Sequence, residues 1–233
     1  MGGGRPLKTP FGTIYSTNIT PDQGTGLGAW SDDDFITAMR EGIGPGGIHY
    51  FPVFPFTSFT GMTSKDLIDL KAYLSTVPTI NRTTRPPDFT PPFGWRVGMV
   101  FWKWMFFEPR RFKSSPEKSA EWNRGAYIVE AVAHCGECHT PRNLAGGLKR
   151  DLWMAGSAEG PEGELAPNIT SHVRTGIGSW DVEDLVWFLQ SGFKPDGDDA
   201  QGLMEEVINN GYKHVSKEEL RAVATYIMDL PPI

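Results

Sequence analysis

Cys135 and Cys138 enclose Gly136 and Glu137, and His139 follows directly, so C-G-E-C-H gathers both cysteines of the chain and one of its five histidines. Two thiols three positions apart fall on one helical turn, where both can add to the two vinyl groups along one porphyrin edge. The histidine that follows then faces the iron and supplies one axial ligand. The pattern is that of covalent haem c attachment. A chain built for it moves electrons and needs no catalytic residue of its own.

Other chemistries use some of these residues. A C-x-x-C dithiol of the thioredoxin kind follows a strand in a βαβ unit, and no such pattern precedes Cys135. Two thiolates can also hold zinc, but a structural site wants four ligands at characteristic spacing. His134 adjoins the first cysteine, while His49, His172 and His214 show no partner spacing. A disulfide between cysteines three apart on a helix is strained. The adjacent histidine is what the haem pattern specifically requires, and it decides in favour of haem.

The elements that must position these residues come next. From about Glu117 to His134 the sequence reads as a helix leading into Cys135, with Ala126, Tyr127, Val129 and Ala133 on its buried side and Gly125 open to close approach by another helix. Beyond this helix, the chain repeats itself. Asn18-Ile19-Thr20 recurs as Asn168-Ile169-Thr170, and Thr25 to Trp30 recurs as Thr175 to Trp180, both at an offset of 150. Gly42/Gly192, Pro45/Pro195 and Gly47/Gly197 keep the register; three further residues then raise the offset to 153 for Leu67/Leu220, Tyr73/Tyr226 and Pro78/Pro231.

Each copy carries two helix signals. Ser31 with Asp34, and Asp181 with Asp184, are capping pairs ahead of the faces Phe35-Ile36-Met39 and Leu185-Val186-Leu189, with Gly42 and Gly192 as stops. Thr63 with Asp66, and Ser216 with Glu219, open the later helices, whose apolar residues are Leu67, Leu70 and Leu74 or Leu220, Val223 and Ile227. The N-I-T triplets match the glycosylation pattern, but their repetition at fixed offset favours a structural turn. By the same offset Cys135 maps to position −15, so the first domain is expected to begin downstream of its own haem motif. That accounts for Met1 being followed by three glycines and not by a signal peptide.

Composition sets wider bounds. With 233 residues, 39% hydrophobic and 21% charged, the chain is globular and long enough for one large or two small domains. A net charge of −6 argues against nucleic acid as a partner. The most apolar stretch, Phe93 to Phe107, is too short for a membrane span and carries Arg96 and Lys103.

Three stretches resemble the bacterial diheme cytochrome c family: G-G-R-P-L-K-T-P-F-G-T-I-Y-S-T-N-I-T-P-D (Gly3 to Asp22), S-A-E-W-N-R-G-A-Y-I-V-E (Ser119 to Glu130) and H-C-G-E-C-H-T-P-R-N (His134 to Asn143). The resemblance extends to cytochrome c subunits of membrane-bound alcohol, gluconate and aldehyde dehydrogenases and of molybdenum hydroxylases, and it covers nearly the whole chain. It implies a mainly α fold with two tandem class I-type cytochrome c domains: residues 1–78, a Pro/Trp-rich strap over residues 79–116, and residues 117–233 holding the haem. Cys135 and Cys138 are then the covalent anchors, His139 the proximal iron ligand, and Met204, expected in a loop before the last helix, the distal ligand.

The first domain departs from that pattern. It has no C-x-x-C-H, and the counterpart of Met204 is Phe54; Met62, just before the capping Thr63, is either a substitute ligand or packing. A second haem is expected only in a longer form. Trp30 and Trp180 read as core, and Arg142 as a partner for a haem propionate or a solvated side chain. In the strap, Arg85-Pro86-Pro87 and Pro91-Pro92 read as extended, and the aromatics from Phe93 to Phe107 as packing across the domains or as an exposed surface for a partner subunit or membrane. The functional expectation is a periplasmic carrier that takes electrons from a dehydrogenase catalytic subunit and passes them to quinone, an oxidase or another cytochrome. The alternative is a haem enzyme of the peroxidase or oxidase kind, which needs an open distal iron site; Met204 argues against it.

Overall fold

The computed structural model describes residues 1–91 and 93–233, so of the prolines read as extended, Pro92 lies outside the described residues. The fold is mainly helical, as expected. The chain forms two compact units: Met1–Arg111 with Pro161–Gly163, and Phe112–Gly160 with Glu164–Ile233. Most of the strap thus belongs to the first unit. No helix of the described residues is long and apolar enough to cross a membrane.

The first unit opens on a hairpin of β1 (Pro6–Thr9) and β2 (Gly12–Tyr15). Helix α1 (Asp32–Glu41) follows, capped by the reciprocal Ser31–Asp34 pair and closed by Gly42 in the left-handed region. Strands β3 (Ile43–Gly44) and β4 (Ile48–His49) pair next, then come the short α2 (Phe56–Phe59) and α3 (Ser64–Leu74), which Thr63 caps. Strand β5 (Asp88–Phe89) joins β2, and α4 (Gly98–Phe106) completes the unit. Its buried apolar residues include Phe35, Ala38, Met39, Phe51, Phe56, Met62, Leu67, Leu74 and Trp102.

Helix α4 is held to the end of α1 by more than apolar contact. The Phe56 ring meets Trp102 and Phe107 edge-on, and the Lys103 ammonium donates to the carbonyls of Glu41 and Gly42 at the α1 C-terminus, the second of which also accepts from the Tyr50 amide. Lys103 Nζ also lies 3.0 Å from His49 Nδ1. An ammonium has only donors, so this ring nitrogen must accept. Burial and the Lys103 charge both hold the His49 pKa below its ordinary 6.5. The folded unit therefore excludes a proton that the unfolded chain accepts. The resulting stabilisation is complete above 6.5 and is lost as pH falls through the folded value. Urea unfolding of the first unit should show lower stability at about pH 5 than at about pH 7.5, and His49→Asn should flatten that difference. An unchanged profile in the variant would refute the assignment.

The second unit repeats the plan with a helix added in front. Helix α5 (Ala120–Tyr127), capped by Ser119, runs into a π-helical turn at Ile128–Val132 and then the one-turn α6 (Gly136–His139). Helix α7 (Val182–Ser191) has the Asp181–Asp184 capping box and ends on left-handed Gly192, as α1 does on Gly42. Helices α8 (Gly202–Asn210) and α9 (Lys217–Met228, capped by Ser216) complete it. The core is one cluster that includes Ala126, Val129, Met154, Leu185, Leu189, Ile208, Leu220, Val223 and Ile227. Helices α5 and α9 cross at Gly125, where a Cβ would lie 1.8 Å from the Ala222 carbonyl oxygen. The Trp122 and Tyr226 rings meet at 5.0 Å beside that crossing.

The N-I-T turns are the same device in both units. Asn18 Oδ1 accepts from the Thr20 amide and hydroxyl, and Asn18 Nδ2 donates to Thr25 Oγ1 and to the Ile80 carbonyl. Asn168 repeats each bond with Thr170, Thr175 and the Ile233 carbonyl. Asn18 is 3% exposed and both its amide hydrogens are committed, which leaves no free nitrogen for a glycan. The triplets are structural turns.

Candidate haem site

The π turn ends α5 abruptly: the Ala133 amide bonds to the Ile128 carbonyl and the Cys135 amide to the Val129 carbonyl. His134 takes a left-handed conformation, φ 48°, and the chain re-enters a helical turn at Cys135. Both cysteines are free thiols, one turn apart and half-buried, and Cys135 packs against the core cluster. Burial pushes the Cys138 thiol up to about 11 and raises Cys135 as well. Thiols held in this way stay protonated near neutral pH, unlike the low-pKa thiolate of a redox dithiol. The Tyr212 hydroxyl lies 3.5 Å from Cys135 Sγ.

His139 closes the turn, and its Nδ1 lies 2.8 Å from the Pro167 carbonyl oxygen. A carbonyl only accepts, so Nδ1 carries the proton and the Nε2 lone pair is left for a metal. Burial lowers the His139 pKa, the first requirement for a neutral ligand imidazole. Among the described residues no three His, Cys, Asp or Glu side chains form a metal-ligand cluster, so the thiol pair has no further protein donors of the kind a zinc site uses. Two thiols on one turn beside an imidazole whose Nδ1–H is already bonded fit the covalent and axial demands of haem c. Cys135, Cys138 and His139 would hold it.

Met204 requires a correction. It was expected in a loop, but it is in the first turn of α8, half-buried against the same core cluster that Cys135 borders. Gly202, Glu205 and Glu206 suggested irregular structure; in fact Gly202 opens the helix at φ 60°, and an acid in the first turn suits the positive end of the helix dipole. Ile208, one turn on and 1% exposed, fixes which side of α8 faces inward. Arg142, read as a propionate partner or a solvated side chain, donates to the buried Glu137 carboxylate at 2.5 Å and to the Gly146 carbonyl. Trp180 is half-buried against the core, edge-on to Phe188; Trp30 is half-buried too.

In the first unit Met62 is 4% exposed, a core residue whose carbonyl accepts from Arg40. Phe54 stacks edge-on with Tyr50 and Phe59. Sequence reasoning missed Pro167, Tyr212 and the Glu130–Tyr226 hydrogen bond of 2.6 Å. Pro167 acts through a backbone carbonyl, which leaves no trace in residue type.

No protein-family model matches the chain. It is 39% identical over its whole length to a "Diheme cytochrome c-type" protein of Cereibacter sphaeroides, covering 77% of that protein. It is 34% identical to the "Gluconate 2-dehydrogenase cytochrome c subunit" of Pantoea cypripedii, over 99% of the chain and 54% of the relative. It is also 34% identical to the "Fructose dehydrogenase cytochrome subunit" of Gluconobacter japonicus, over 99% of the chain and 47% of the relative. The chain belongs to the family of diheme c-type cytochromes, haem-binding proteins of electron transfer. It spans about half the length of the gluconate, fructose and alcohol dehydrogenase cytochrome subunits it matches.

Proposed function

We propose that this chain is a one-electron carrier of a dehydrogenase complex, working through a single haem c on Cys135 and Cys138 with His139 and Met204 as axial ligands. The observation that carries the reading is the His139–Pro167 bond beside two free thiols on the same turn. The haem supplies the redox couple, and His/Met ligation raises its potential. The chain's own part is to hold His139 in one tautomer, to keep Met204 on the core-facing side of α8, and to exclude water with the Val129, Leu220 and Val223 cluster. One C-x-x-C-H within residues 1–233 supports one covalent haem there; a second would need a second such motif.

The partner is proposed to be a dehydrogenase catalytic subunit, as the relatives' names suggest, with quinone, an oxidase or another cytochrome downstream. Covalent attachment of haem c supports a periplasmic location for the working protein. The two domains are proposed to be tandem class I-type cytochrome c folds, which the matching caps and Asn turns support. The competing reading, a haem enzyme with an open distal site, is tested by carbon monoxide. A carrier with Met204 on the iron shows no fast spectral change when the reduced protein meets the gas; an immediate change would replace the carrier reading with the enzyme.

Membrane-surface association is proposed for α4. Its outer face, Val97, Val100, Phe101, Trp104 and Met105, recurs at helical spacing and is exposed, with Trp104 at 85%. Vesicles of mixed anionic and neutral lipid should retain the protein, and the triple change Phe101→Ser, Trp104→Ser, Met105→Ser should release it. Equal retention of both would remove the membrane from the proposal.

A further inference from the structure

The segment before the second N-I-T turn contacts both His139 and the first turn of the helix that carries Met204. Ser157 and Ala166 exchange backbone hydrogen bonds of 2.8 and 2.9 Å, and the Gly160 amide bonds to the Glu164 carbonyl at 2.8 Å, making a small hairpin. Directly after it, the Pro167 carbonyl orients His139. Three residues earlier, Glu164 Oε2 accepts from the Leu203 amide at 2.9 Å, the residue beside Met204. Helix α8 has no cap of its own, since the Gln201 side chain makes no capping bond. An orphan amide in its first turn is instead served by a carboxylate 39 residues away in sequence. Gly202 leaves room for it: a Cβ there would lie 2.3 Å from Glu164 Oε2.

We propose that Glu164 is a positioning residue for the distal ligand, its carboxylate fixing the first turn of α8 where Met204 meets the iron. Together with the Pro167 carbonyl, it would let one short segment position both residues that would ligate the iron. The inference rests on Met204 being that ligand. Loss of the carboxylate would free the first turn and let a bound Met204 leave the iron more readily, although Glu164 itself donates nothing to the iron.

The test uses the haem-loaded full chain and two readouts, the Met-to-ferric-iron charge-transfer band and displacement of Met204 by added imidazole. In Glu164→Ala the apparent Kd for imidazole should fall about two- to fivefold, the span expected for one charged helix cap. Glu164→Gln keeps an acceptor without the charge and should fall between Glu164→Ala and the natural protein; it also guards against a failure of the alanine variant to fold. Ser216→Ala removes the equivalent cap from α9. It should lower the melting temperature yet leave the imidazole Kd unchanged. If Glu164→Ala binds imidazole as the natural protein does, or shifts no more than Ser216→Ala, Glu164 does not position the ligand. If Met204→Ala retains the charge-transfer band, Met204 is not the ligand, and both this inference and the His/Met reading fail.

Discussion

Alanine at Gly125 is expected to cost the second unit on the order of 3–5 kcal/mol, a large share of the roughly 5–15 kcal/mol that holds a typical domain folded. The added Cβ would sit 1.8 Å from the Ala222 carbonyl oxygen. That neighbour is helix backbone, so no rotamer change relieves the clash; α5 and α9 must move apart. Between them lie Trp122 against Tyr226, and Ala126, Leu220 and Val223 in the core, and all of these contacts loosen together. Gly98 is the natural control, because a Cβ there meets nothing within 4 Å. Gly98→Ala, in the first turn of α4, should be neutral or stabilising by up to about 1 kcal/mol. Urea unfolding of both variants checks the contrast. Similar midpoints for the two would mean that the α5–α9 crossing is more compliant than its packing implies.

Met204→Ala is the second large expected effect; with Met204 as the proposed distal ligand, it should act on the iron rather than on the fold. Met204 lies at the edge of the core, so its removal leaves α8 anchored through the fully buried Ile208. A thioether would favour the reduced iron, and without it the distal position would be open to water. If the preference for the reduced state falls about a hundredfold, the potential drops by about 120 mV, at 59 mV per tenfold change for one electron. The reduced variant should then bind carbon monoxide at once. Redox titration and flash photolysis measure both. An unaltered potential with no carbon monoxide binding would place the distal ligand on another residue.

Local chemistry was legible in the sequence wherever it depends on residue type at short spacing. Ser31 with Asp34, Asp181 with Asp184, Thr63 and Ser216 announced their helices because a cap needs an acceptor side chain next to the first turn. C-G-E-C-H was legible for the same reason. Contacts made by backbone atoms or across long sequence gaps were not. The Pro167 carbonyl has no residue signature, and the Asn18 and Asn168 amides find partners some sixty residues on, at Ile80 and Ile233. Met204 was placed in a loop because its glycine and paired glutamates are loop residues by composition; the cap that turns them into a helix start comes from Glu164. Strap residues Phe93 to Phe107 gave one apolar signal for two faces, since Trp102 is buried beside Phe56 while Trp104 faces outward. Hydrophobicity alone could not divide them.

The central claim is that Cys135 and Cys138 carry haem covalently with His139 behind them. Intact-mass measurement of the denatured protein, after export with the haem c maturation machinery, tests it most directly. The account predicts a chain heavier by one haem, and an unmodified mass for the Cys135→Ser, Cys138→Ser double variant. A natural chain without added mass, or haem that dissociates on denaturation, would contradict it.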